Sequence, residues 1–352
     1  MSSPTDSPKP GKDRVISYVE ALQEAVEQEM DRNEGVFVIG LNVDDHKGIQ
    51  GTTQGLIDKF GPDRVMDTPL SEDAVTGICI GAAMAGMRPI HVHIRMDFLL
   101  LCMNQLINMG AKAHYMYGGQ TRVPLVVRSI IGKSWGQGAQ HSQGLHSMFM
   151  HVPGLKVVAP TNAYDAKGCL IAAIRDNNPV VFVEHRLLYS TDAPVPEDPY
   201  TVDFGKARVV GEGTDITLVG ISYMLVECLA ARDLLAEAGI SAEVIDPVSL
   251  MPLDVDTIAA CATRTGNLLV VDNAWTAAGA GAEIVAAVCE RAAGKVPNVG
   301  RMGYAPTTCP TNGPSRSISI TDPVKRKWRG SPRCSRTGRR NSPSRNCPRP
   351  TG

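Results

Sequence analysis

The chain has 352 residues, 43% hydrophobic, 20% charged and 5% aromatic, enough to fill two domain cores. No apolar run reaches the roughly 18–20 residues of a membrane span, and the Ser/Pro/Lys-rich opening has no apolar secretory core. Nine cysteines with no Cys-x-x-Cys pair argue against a zinc ribbon and fit a reducing, cytoplasmic setting. The formal net charge of −1 hides an acidic body and a basic tail: residues 311–352 hold 11 Lys/Arg against the single acid Asp322. With Trp328 as its one aromatic and no helical or strand period, that tail is not expected to bind specific nucleic acid.

Beyond a start at 1–14 expected to be disordered, Val15, Ile16, Val19, Leu22, Val26 and Met30 recur at helical spacing, and 35–40 reads as a buried strand. The small residues of 72–87 predict a closely packed helix, 89–94 a strand, and 98–117 one long helix. Strands at 123–128, 155–159 and 180–184 follow, with a helix over 163–175 between the last two. The rhythm stops over 186–214, where Pro194, Pro196 and Pro199 predict an extended, solvated connection. Strands at 216–220, 242–245, 267–271 and 298–302 then alternate with helices at 224–238, 255–261 and 280–293. The fold class is α/β with two doubly wound domains, each a parallel sheet covered on both faces. The expected division is a first domain over 15–190, a linker over 191–213, a second domain over 214–311 and a basic tail over 312–352, disordered or frame-shifted.

Sheets of this kind bind ligands beyond the carboxyl ends of their strands, so polar residues there come first. In 67–72, Asp67, Ser71 and Glu72 open a glycine- and alanine-rich helix; Ser71 as cap with a dipole-stabilised carboxylate is one reading, a proton-transfer carboxylate in a dry cleft the other. The loop 130–143 carries Gly132, Gly136 and Gly138 and ends in His141, Ser142 and Gln143, suiting either a closing loop that delivers an imidazole or a surface loop. His146 and His151 follow at +5 and +10, off the face of His141, so the three do not read as a metal site. Over 91–98, His91, His93, Arg95 and Asp97 alternate with apolar residues, as on an exposed edge strand or along a site or subunit contact. No dinucleotide fingerprint, phosphate loop or nucleophile elbow is present.

Taken together, DRVMDTPLSE (63–72), GICIGAAMAGMRPI (77–90), YMYGGQTRVPLVVR (115–128), the run GQGAQHSQGLHSMFMHVPGLKVVAPT from 136 and AAIRDNNPVVFVEHRLLY (172–189) resemble the beta subunit of thiamine-diphosphate-dependent 2-oxo acid dehydrogenases of the pyruvate and branched-chain type. The resemblance spans 15 to about 311. It implies a pyrimidine-binding domain followed by a transketolase-type C-terminal domain. Residue by residue, it implies that Glu72 hydrogen-bonds the aminopyrimidine ring, favouring the tautomer that deprotonates the thiazolium carbon, and that Phe98 lies against that ring. His141 would serve the decarboxylated intermediate and its transfer to lipoyl-lysine, with His151 in support. A potassium ion is implied at Leu125, Ala173, Ile174, Asp176 and Asn178. The chain lacks the Gly-Asp-Gly…Asn sequence that holds magnesium and diphosphate in thiamine enzymes. The resemblance therefore implies that an alpha subunit supplies Mg2+ and the diphosphate half in an α2β2 heterotetramer serving a lipoyl-bearing acyltransferase. Gly40-Leu41-Asn42-Val43 departs from an acidic pair usual in the family, and Arg95 is a candidate partner for a second substrate carboxylate or for the alpha subunit. A half-transketolase acting on a sugar phosphate and a non-catalytic structural subunit are the competing expectations.

Overall fold

A computed structural model describes residues 14–45, 47–132, 138–292 and 294–304. Expectations placed on 1–13, on Gly136 and on the tail after 304 lie outside the described residues.

The first element is a strand, β1 (Val15–Ser17), where helical spacing predicted helix. Two β-branched residues favour extended backbone, and β1 pairs antiparallel with β8 (Asp192–Pro194). Helix α1 (Tyr18–Arg32) starts only where Ser17 caps it: Ser17 Oγ accepts from Glu20 N at 3.2 Å while the Glu20 carboxylate accepts from Ser17 N at 2.7 Å.

The first domain is built on β2 (Val36–Gly40), β3 (Val65–Asp67), β4 (Arg88–His93), β5 (Val126–Ile131), β6 (Lys156–Val158) and β7 (Val180–His185). Between them run α2 (Leu56–Phe60), α3 (Glu72–Met84), α4 (Ala111–Met116), α5 (His146–Met150) and α6 (Ala163–Arg175). The second domain carries β9 (Arg208–Gly211), β10 (Ile216–Gly220), α7 (Met224–Glu237), β11 (Ala242–Asp246), α8 (Val255–Thr265), β13 (Asn267–Trp275), α9 (Ala280–Arg291) and β14 (Asn298–Tyr304). Its sheet runs β14-β13-β10-β11-β9, parallel except for β9.

The first sheet has the order β12-β6-β7-β5-β4-β2-β3, and its edge strand β12 (Ser249–Met251) comes from beyond β11, antiparallel to β6. One apolar cluster accordingly runs from Phe37 and Leu99 of the first domain to Leu250, Ile258 and Ile284 of the second. The two domains share a core, which fixes the loops between them.

The connection after β7 is largely exposed over 191–214, as its prolines suggested, but it is pinned at a few side chains. Val195, Tyr200 and Val202 are buried against α6, where Gly168 leaves the room: a Cβ there would meet Val202 Cγ2 at 2.5 Å and Tyr200 Cε2 at 2.7 Å. Tyr200 donates to Tyr164 O at 2.7 Å, and Lys167 Nζ donates to Pro196 O and Glu197 O at 2.7 and 2.8 Å. Proline fixes the extended path, and these side chains fasten it down.

Candidate active site

Strand β4 lies between β2 and β5, so the edge-strand reading of 91–98 does not hold. His91, His93, Arg95 and Asp97 are all buried. His91 Nδ1 lies 3.2 Å from Ile39 O, and His93 Nε2 lies 3.7 Å from Cys102 Sγ. Burial pushes the His91 imidazole down to about 4 and holds His93 well below its ordinary value, so both rings are neutral polar lining at neutral pH. Arg95 is pulled down to about 10 by burial, then by Arg186, and is 5% exposed.

Past β4, Met96–Cys102 winds as a 3-10 helix and Asn104–Gly110 as a π-helix before α4 begins, in place of one regular helix. The buried positions account for the change of pitch: Met96, Leu99 and Cys102 stand three apart, Leu106 and Gly110 four apart. Phe98 rides on the tight part, half-buried between buried Asp97 and Leu99.

The returning loop meets this segment. His141 stands edge-on to Phe98, ring centroids 5.1 Å apart and planes at 75°. Gln143 Nε2 donates to Asp97 Oδ1 at 2.6 Å, and Leu145 N donates to Met96 Sδ at 3.2 Å. Gly132, which begins the loop, has φ +89° and no space for a Cβ, which would fall 2.3 Å from His185 Nε2. Ile130 and Ile131 belong to β5, so the loop begins at Gly132, later than the sequence suggested; Lys133–Gln137 lie outside the described residues.

Glu72 is the first residue of α3, half-buried, where the helix dipole favours a carboxylate. Ser71 occupies the cap position but its hydroxyl makes no capping bond, so the purely structural reading of this pair loses its main contact. The Glu72 carboxylate has no hydrogen-bond or ion-pair partner among the described residues. Helix α3 packs on 96–110: Gln105 Nε2 donates to Asp73 Oδ2 at 3.3 Å, and Cys102 lies near enough to Glu72 that the carboxylate helps burial push its thiol up to about 11. Asp67 is exposed at the end of β3, accepting from Asn42 N at 2.6 Å. Helix α3, which Glu72 opens, thus packs on the segment that carries Phe98, and Phe98 meets His141; Asp97 Oδ2 is buried without a hydrogen-bond partner among the described residues.

The transketolase pyrimidine-binding domain model matches residues 14–191 and the transketolase C-terminal domain model matches 205–319. The beta subunit of acetoin:2,6-dichlorophenolindophenol oxidoreductase from Cupriavidus necator is 43% identical over 291 residues, 80% of this chain and 86% of that protein. The pyruvate dehydrogenase E1 component subunit beta of Rickettsia bellii is 43% identical over 277 residues, 79% of this chain and 85% of that protein. The chain belongs to the beta subunits of the thiamine-diphosphate-dependent 2-oxo acid dehydrogenases. A solved split-gene transketolase, described as an inactive beta4 tetramer, superposes with a TM-score of 0.74 at 18% identity, covering 88% of this chain and 97% of that one; it shares the fold.

In this beta subunit the turn after α6 gathers carbonyl oxygens round positive charge. Ile174 O and Asp176 O both accept from Arg88 Nη1, at 2.8 and 2.9 Å, and Lys156 pairs with the Asp176 carboxylate. Leu125 O accepts from Val180 N at 2.9 Å and Ala173 O from Asp176 N at 3.2 Å, while Asn178 N donates to Asp176 Oδ1 at 2.9 Å. Two of these carbonyls thus already serve the Arg88 guanidinium and two others backbone N–H groups. His151, the residue that follows α5, is exposed and lines a cleft with Ser147, Met251 and Glu283 that includes neither Phe98 nor His141. Sequence reasoning missed what His146 does: it is buried and bonded across the domain boundary, Nε2 to Asp272 Oδ2 at 3.0 Å. Partners 126 positions apart leave no local signal; the only one was a second histidine just beyond the loop.

Proposed function

We propose that this chain is the pyrimidine-holding half of a thiamine-diphosphate enzyme that, with an alpha subunit in an α2β2 heterotetramer, oxidatively decarboxylates a 2-oxo acid and passes the acyl group to a lipoyl-bearing acyltransferase. The observation that carries the reading is the contact of His141 with Phe98, held by the Gln143–Asp97 bond on the segment against which the helix beginning at Glu72 packs. When bound, thiamine diphosphate supplies the carbanion that adds to the substrate's carbonyl carbon and holds the electron pair left by carbon dioxide. Glu72 would give its proton to the pyrimidine ring nitrogen and accept the hydrogen bond that nitrogen then donates, Phe98 would orient the ring by stacking, and His141 would move a proton at the acyl oxygen during transfer. The missing Gly-Asp-Gly supports assigning Mg2+ and the diphosphate to the alpha subunit.

The carbonyls of Leu125, Ala173, Ile174, Asp176 and Asn178 would hold potassium, a structural ion. A cytoplasmic location accords with six free cysteines among the described residues, where no helix is long and apolar enough to cross a membrane. The test is reduction of an artificial electron acceptor by this chain assembled with an alpha chain, across 2-oxo acids, acetoin and a ketose phosphate. Turnover with a 2-oxo acid supports the proposal; turnover with the ketose alone makes the chain a half-transketolase, and a stable complex with no turnover makes it structural.

A further inference from the structure

Three contacts hold the stretch that carries His141. Two tie it to Phe98's own segment: Gln143 to Asp97 at 2.6 Å and Leu145 N to Met96 Sδ at 3.2 Å. The third reaches into the other domain, where His146 Nε2 meets Asp272 Oδ2 of β13 at 3.0 Å, with both side chains buried. Gly144 sits where the loop presses on this pair: a Cβ there would lie 3.2 Å from Asn273 O, 3.3 Å from His146 Cε1 and 3.4 Å from Ala274 Cβ. The surroundings are polar and unsatisfied. His146 Nδ1, Asp272 Oδ1 and both side-chain atoms of Asn273 are buried without a hydrogen-bond partner among the described residues. Buried groups left unpaired cost more than they return if fold stability were their only use, whereas an apolar pair would close the domains at lower cost.

We propose that His146 and Asp272 are positioning residues for His141: a latch that spans the two domains and fixes the reach of the loop during acyl transfer to the lipoyl group. The inference rests on the reading of His141 given above. With Nε2–H engaged by the Asp272 carboxylate, the His146 ring cannot rotate, and the loop's last turn into α5 is set by β13 of the second domain rather than by its own sequence. An error of about 1 Å in such a group costs on the order of a hundredfold in rate, so the latch acts on the transfer step and leaves the site around Glu72 alone.

The experiment uses the assembled α–β complex and two readouts, artificial-acceptor reduction and reductive acylation of a free lipoyl domain, for His146→Ala, His146→Gln, Asp272→Ala and, in parallel, His141→Ala. The latch requires His146→Ala and Asp272→Ala to lower lipoyl acylation at least tenfold, through kcat rather than KM, with acceptor reduction within threefold of wild type. His146→Gln, whose Nε2 can still donate to Asp272, must recover most of the loss. The latch is overturned if both readouts fall together, if neither falls, or if Gln rescues nothing. If His141→Ala itself leaves lipoyl acylation intact, the reading of His141 fails, whatever the latch variants do.

Discussion

The imidazole of His141 stands edge-on to the Phe98 ring at a centroid distance of 5.1 Å, joining the loop after β5 to the 3-10 turn after β4. An aromatic pair of this geometry is worth about 0.5–1.5 kcal/mol beyond its buried area. Phe98→Leu keeps most of the volume and loses the edge-to-face contact, so the stretch 138–145 should exchange its amide hydrogens several-fold faster in the assembled complex. Unchanged exchange would mean that Gln143 and Leu145 alone hold the loop.

Glu72→Gln should leave far-UV circular dichroism and assembly intact, since Glu72 has no side-chain partner to lose among the described residues and glutamine forfeits only the roughly 0.3–1 kcal/mol that the helix dipole gives a carboxylate there. Turnover should fall by about 10²–10⁴, the usual contribution of a positioned acid–base group. Activity within threefold of wild type would remove Glu72 from the chemistry.

Arg128 and Glu184 form a bidentate pair inside the first sheet, 2.6 and 3.0 Å, with Tyr189 donating to Glu184 Oε2 at 2.8 Å. Arg128→Met strands a buried carboxylate, and the expected loss is about 3–5 kcal/mol, read as a lowered urea midpoint. Arg128→Met with Glu184→Gln should recover part of it; equal losses in the single and double variants would mean that the charge pair is not the cause.

Burial, reinforced by Asp165, pushes the Asp246 carboxyl up to about 7, far above the carboxylate range of an unfolded chain. Its folded form binds the proton more tightly, so its contribution to stability is complete below about pH 4 and is lost as pH rises through 7. Asp246→Asn keeps the acceptor for Val248 N, which Oδ1 now meets at 2.9 Å, and carries no charge. Urea midpoints measured from pH 5 to 8 should flatten in the variant and exceed wild type above pH 7; parallel curves would contradict the assignment.

Exchange of potassium for choline should lower the melting temperature of the complex by several degrees if the turn around Asp176 takes a cation. No difference between the two salts would leave Arg88 and Lys156 to supply its positive charge.

Local patterning carried most of the architecture. Apolar runs such as 36–40 and 180–184 became strands because burial on both faces leaves no polar alternation, and Glu72, Phe98 and His141 stood out in their motifs. What escaped was set by distant partners. Val15 and Ile16 follow helical spacing but pair with a strand from beyond β7; β12 leaves its own domain to complete the first sheet; and His146 is defined by Asp272. The pitch change over 96–110 was hidden because three- and four-residue spacings both fit an averaged helical period.

Calorimetric titration of thiamine diphosphate with Mg2+ shows whether this chain supplies only the pyrimidine half of a shared cofactor site. The expected result is no binding to this chain alone, tight binding to the α–β complex, and weakened binding to the complex carrying Glu72→Gln. Equal binding to the isolated chain, or none to a well-formed complex, would contradict it.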